Sequence, residues 1–149
     1  MKTKPARWAA VILVTTVILA GCAKQPSALS ILPEIRDYNL AMSSTPGIPL
    51  TAVYTRDLKN SNYKYHWVAE EGTFLKWNDS GGFGRVDVLG PDVLTNLHKV
   101  FWTMDSGKPI QKSAFQVRLT VEEVGTGTIV DEARLEIHQN ESGHFTISD

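Results

Sequence analysis

The chemically versatile side chains of this chain are few: one cysteine (Cys22), four histidines, four tryptophans and some adjacent carboxylates. His66, His98, His138 and His144 show no His-x-x-x-His spacing, so no metal site is expected, although His138 and His144 flank one turn. Glu70-Glu71, Glu122-Glu123 and Asp131-Glu132 are neighbours in sequence. In a strand such neighbours point to opposite faces, so they cannot share a proton as a catalytic dyad does. No Gly-x-Ser-x-Gly elbow is present. The glycine-rich stretch from Asn78 to Gly84 lacks Gly-Lys-Ser/Thr and reads as a hairpin connection with Phe83 at its tip. These observations predict no catalytic residues. What remains is an aromatic set, Trp67, Trp77 and Trp102, which can fill a core, stack on sugars or anchor a protein interface. Trp67 is expected to point inward, and Trp77 and Phe83 to be available for contact.

The surroundings of Cys22 define its chemistry. Lys2, Lys4 and Arg7 precede a 13-residue largely apolar run from Trp8 to Ala20, which ends in small residues. A helix needs roughly 20 apolar residues to span a bilayer, so this pattern is that of a secretory signal peptide. Leu19-Ala20-Gly21-Cys22 resembles the lipobox of bacterial lipoproteins. The resemblance implies cleavage between Gly21 and Cys22, diacylation of the thiol and acylation of the new amino terminus. Cys22 would thus carry a covalent lipid, with no other cofactor expected. Two or more acyl chains anchor stably where one does not. Position 23 is Ala and not Asp, which in such proteins resembles release to the outer membrane of a Gram-negative envelope. Otherwise the expected location is the outer face of the plasma membrane.

Removal of residues 1–21 leaves 128 residues, one domain in size. Twelve basic side chains then face 16 acidic ones. That balance, near −4 and scattered along the chain, excludes the footprint of a nucleic-acid binder. With a single cysteine, no intramolecular disulfide is possible. Residues 22–32 read as the lipidated cysteine and a small, polar, flexible tether, and residues 33–149 as the domain.

The positioning elements are strands. A poor edge strand near Ile35–Leu40 is followed by a β-branched one over 48–55, and then by Tyr63–Ala69 and Thr73–Trp77. Arg85–Leu89 is short. Val93, Leu94, Leu97, Val100 and Phe101 recur at helical spacing. A strand from Lys99 also fits there, so a short helix near 91–98 and then a strand are expected. Phe115, Val117, Leu119 and Val121 alternate with polar residues. Gly125-Thr126-Gly127 closes a hairpin, and the return strand places Ile129, Ala133, Leu135 and Ile137 inward, before a last strand at Phe145–Ile147. About seven strands in an antiparallel all-β sandwich result. Tyr65-His66-Trp67-Val68-Ala69 before a glycine turn resembles the central strand of immunoglobulin-like sandwiches of the polycystic-kidney-disease-repeat kind, in which the Trp fills the space between the sheets. The antibody-type cysteine pair is missing.

Three function classes remain. The first is a membrane-anchored, non-enzymatic envelope protein that binds a protein partner or assists assembly. The second is a glycan-binding module built on exposed aromatics. The third is a hydrolase whose site assembles only in three dimensions.

Overall fold

A computed structural model describes residues 27–56, 62–78, 84–105 and 107–148. Within them the chain forms two packed antiparallel sheets and no helix. In chain order the strands are β1 (Leu29–Pro33), β2 (Asp37–Tyr38), β3 (Ile48–Tyr54), β4 (Tyr63–Ala69), β5 (Thr73–Asn78), β6 (Arg85–Gly90), β7 (Asp92–Thr95), β8 (Lys99–Thr103), β9 (Ala114–Glu123), β10 (Ile129–Gln139) and β11 (Phe145–Ile147). The five-stranded sheet has the order β1-β3-β8-β5-β6, and the six-stranded sheet the order β2-β11-β10-β9-β4-β7. This is the expected β-sandwich, with eleven strands instead of about seven; β1 and β7 are the edge strands that the sequence reading did not place.

Alternation dictates which side chains meet between the sheets. From β9, Phe115, Val117, Leu119 and Val121 are all buried, and β3 contributes Ile48, Leu50 and Ala52. Trp67 on β4 is fully buried and packs on Phe74 of β5, ring centroids 6.0 Å apart. Trp102 on β8 lies against Phe115 and Phe145 of the other sheet, at 5.2 and 5.0 Å. Both indoles find an acceptor for the N–H they bury: Trp102 donates to the Glu71 carbonyl at 2.7 Å, and Trp67 to that of Leu97 at 3.4 Å.

Three expectations are corrected. The segment near 91–98 is not helical. Asp92–Thr95 pairs with Tyr65–Val68, placing Val93 against the core and Leu94 in solvent. The backbone of β4 needs a partner on that side, and the β-branched Val93 and Thr95 suit a pleated edge. Residues 29–32, expected to be tether, instead belong to a strand, because Leu29–Pro33 pairs along its length with Leu50–Tyr54. Ser27 and Ala28 are already fixed: the Ser27 hydroxyl and the Ala28 N–H both donate to the Asp131 carboxylate, at 2.7 and 2.9 Å. Finally, Ile129 is 53% exposed. A register shift between Ile129 and Asp131 turns it out of the face that Ala133, Leu135 and Ile137 occupy.

The β4–β5 turn packs tightly against Trp102. Gly72 has φ 79°, and a Cβ there would stand 2.4 Å from the Thr103 carbonyl oxygen and 2.7 Å from Trp102 Nε1. Gly125 has φ 100° with open space around it. Gly125→Ala should therefore cost only the left-handed backbone penalty, about 1–2 kcal/mol. Gly72→Ala should add an overpacking cost of about 1–3 kcal/mol. Urea unfolding of the two variants checks this. Equal losses would mean that the turn does not press on Trp102.

Candidate functional site

The outward faces of the two sheets differ in character. On the six-stranded sheet the solvent side carries Lys64, His66, Arg118, Glu122, Arg134 and Glu136, whose inward neighbours form the core. This is the polar-out pattern of a half-solvated sheet. On the five-stranded sheet the solvent side carries an apolar cluster. Phe101 lies between two fully buried core residues, Val100 and Trp102, and so faces outward. Its cross-strand partners are Pro49 and Leu75, and Leu75 is in turn opposite Val88. One position along, Trp77 is opposite Val86. Leu75 is buried, yet it stands outside the inter-sheet cluster. It is covered from the solvent side by its neighbours, which makes a second, small apolar cluster.

The exposed members of that cluster are Val88 (72%), Trp77 (42%) and Val86 (40%). The indole of Trp77 is 6.1 Å from the Phe101 ring at 42°. Gly84 lies close to the same indole: a Cβ there would be 2.7 Å from Trp77 Cζ2, so glycine lets the backbone approach the ring. A charged pair borders the face. Lys99 is paired with Glu34 and stands 5.5 Å from the Phe101 centroid, within cation–π range. Arg85 bonds Asp87 at 2.8 Å on the opposite face of β6, since the two alternate with Val86 and Val88.

Among the residues singled out by sequence, Trp77 is exposed, whereas Trp67 and Trp102 are buried. Gly21, Cys22 and Phe83 lie outside the described residues. His138 and His144 face different carboxylates, Glu136 at 3.4 Å and Asp37 at 3.5 Å. Sequence reasoning missed Leu75, Val86, Val88 and Phe101 as one surface. The available signal was parity: Leu75 and Trp77 must face away from Phe74, and Val86 and Val88 share one face of their strand.

It also missed a polar cluster on the six-stranded sheet. His66 donates or accepts through Nδ1 with Glu122 at 2.6 Å and through Nε2 with Asp92 at 2.7 Å, while the Thr120 hydroxyl donates to Glu122 at 2.8 Å. The three acidic and basic groups come from β4, β7 and β9, so only strand pairing brings them together. The carboxylates flank opposite edges of the imidazole and do not converge. Among the described residues, no group of three His, Cys, Asp or Glu side chains is placed to hold a metal ion. Partial burial opposes charge on His66, but the hydrogen bonds to Asp92 and Glu122 outweigh it and raise its pKa above the ordinary 6.5. Burial likewise opposes ionisation of Glu122, yet the bonds from His66 and Thr120 prevail and lower its pKa below the ordinary 4.5. With both ring nitrogens committed, His66 has none left to activate a hydroxyl nucleophile.

Comparison with protein-family models, with curated proteins and with solved structures finds no match to this chain.

The His66 bridge has a definite pH signature. The raised imidazole pKa makes its contribution to stability complete below 6.5 and lost as pH rises through the folded value. The lowered carboxyl pKa makes the contribution of Glu122 complete above 4.5 and lost as pH falls through its folded value. His66→Gln should therefore lower the urea midpoint more at pH 6 than at pH 8.5. An equal loss at both values would rule out a charged bridge.

Proposed function

We propose that this chain is a lipid-anchored, non-enzymatic envelope protein whose immunoglobulin-like domain binds a protein partner through the outer face of its five-stranded sheet. The observation that carries the reading is the solvent-facing apolar cluster of Trp77, Val86, Val88 and Phe101. A large exposed aromatic amid aliphatic side chains is a typical interface anchor. The cluster also includes β6, an edge strand of its sheet among the described residues, and a partner strand could add along such an edge. Supporting the anchor is the lipobox resemblance around Cys22. The commitment of both His66 nitrogens to carboxylates supports a non-enzymatic role.

The exposure of Trp77 also favours a second reading, stacking of the indole on a cell-wall glycan. The flat aliphatic surroundings argue against it, since sugar sites need hydrogen-bonding side chains beside the platform.

Photo-reactive residues at Val88 and, as a control, at Arg134 on the opposite sheet separate these readings in intact cells. A protein adduct formed from position 88 and not from 134 supports the proposal. With that partner in hand, Trp77→Ala should weaken binding by about 2 kcal/mol or more, roughly 30-fold in Kd. No protein adduct, together with a saturable tryptophan fluorescence change on adding cell-wall fragments that Trp77→Ala abolishes, would transfer the face to glycans. For the anchor, Cys22→Ser should leave an unlipidated chain that no longer fractionates with membranes. If the variant still does, the anchor reading is wrong.

A further inference from the structure

The point at which the chain enters the sandwich fixes which end of the domain lies near Cys22. Ser27 bonds the Asp131 carboxylate and the Glu132 carbonyl, and the Ala28 N–H bonds Asp131 as well. The entry point is therefore beside the first residues of β10, at the end of the sandwich capped by the β9–β10 hairpin. Only five residue steps separate Cys22 from Ser27, at most about 18 Å of fully extended chain. A tether reaching residue 32 would have allowed about 36 Å by the same measure. The opposite end, at the turn after β10, is a further 11 residues of strand away, roughly 37 Å.

The near end exposes aliphatic side chains among polar ones. Ile129 is 53% exposed, Val124 48% and Val130 40%, all within one hairpin. The register shift between Ile129 and Asp131 turns Ile129 outward, although its strand would otherwise bury it. Tyr54 and Tyr63, half-buried at the same end, have the amphipathic character suited to a headgroup layer. Carboxylates at this end are engaged within the domain: Asp131 with Ser27 and Ala28, Glu122 with His66, and Glu123 with the Thr126 hydroxyl at 2.7 Å.

We propose that the β9–β10 hairpin docks on the lipid surface, with Val124, Ile129 and Val130 seated among the headgroups of zwitterionic phospholipid. The proposal rests on the reading that Cys22 carries the anchor. Three half-exposed aliphatic side chains are too few to hold a free domain on a bilayer. On a domain already tethered within about 18 Å, the high effective concentration lets them set its orientation.

The acylated thiol makes the test clean, because a cysteine introduced elsewhere is then the only free thiol. Mature lipidated protein carrying V130C, V124C or S142C is labelled with an environment-sensitive fluorophore and reconstituted in phosphatidylcholine vesicles containing spin-labelled lipid. Docking predicts blue-shifted emission and several-fold stronger quenching at 130 and 124 than at 142, which lies at the far end. Equal, weak quenching at all three positions, with intact mass confirming acyl chains on Cys22, would overturn the docking and leave the anchor standing. A mature chain of unacylated mass, labelled also at residue 22, would overturn the anchor and the docking with it.

Discussion

Aromatic rings hold the two sheets together in place of a covalent bridge. Trp102 from one sheet is wedged against Phe115 and Phe145 of the other, and Trp67 reaches back in the opposite direction to Phe74. Each such ring removes a large apolar area from water, and no disulfide supplements it in a chain with one cysteine. The arrangement works only if the two indole N–H groups keep acceptors, since an unpaired buried donor costs about 1–3 kcal/mol. Both acceptors are loop carbonyls, of Glu71 and Leu97. The loops that cross between the sheets are thereby fixed by the core, and Gly72 is the residue that allows one of them to come so close.

The same constraint separates the two outer faces. Once Val100 and Trp102 are committed inward, Phe101 has to face solvent. Likewise the commitment of Phe74 turns Leu75 and Trp77 outward. At the exposed positions Trp77, Val86 and Val88, polar residues would satisfy the fold equally well, as the other sheet demonstrates with Arg118, Glu122 and Arg134. Exposed apolar area is disfavoured by about 25 cal/mol per Å² relative to burial. The inter-sheet core therefore gives no reason for Val86, Val88 and Trp77 to be apolar, which is the ground for proposing this face as the contact surface.

The sandwich was legible in sequence wherever alternation was clean. Phe115 to Val121 and the Tyr65-x-Trp67-x-Ala69 pattern announce both their strands and their inward faces. Legibility failed where a local pattern had two solutions. Val93, Leu94 and Leu97 suit one face of a helix, and only the vacant edge of β4 decides for a strand. Ile129 obeys the parity of its neighbours until a register shift breaks it. The candidate face was half legible: the exposure of Trp77 could be read beside its glycine loop, but its neighbours come from four strands. Phe101 and Val88 meet Leu75 only through cross-strand pairing, which one sequence does not encode locally. The same holds for His66, whose carboxylate partners are 26 and 56 residues away.

A short tether would also change what the apolar face is for. β1 and β10 both run from the Ser27–Asp131 end towards the far turn, and Ile31 to Pro33 lie beside Leu135 and Glu136. If the hairpin end rests on lipid, the strands of both sheets rise from the membrane, and neither broad face lies against it. Trp77 and Val88 would then be presented sideways, at the height of the domain, to molecules moving along the envelope. A domain free to tumble on a long leash would offer that face in every direction and lose orientational freedom on each encounter. Held upright, it loses that freedom once, on anchoring, so that less of the contact energy of the face is spent on ordering. On this view the outward turn of Ile129 and the polar bracket on Asp131 serve the binding face, although they lie at the end of the sandwich, remote from it in sequence.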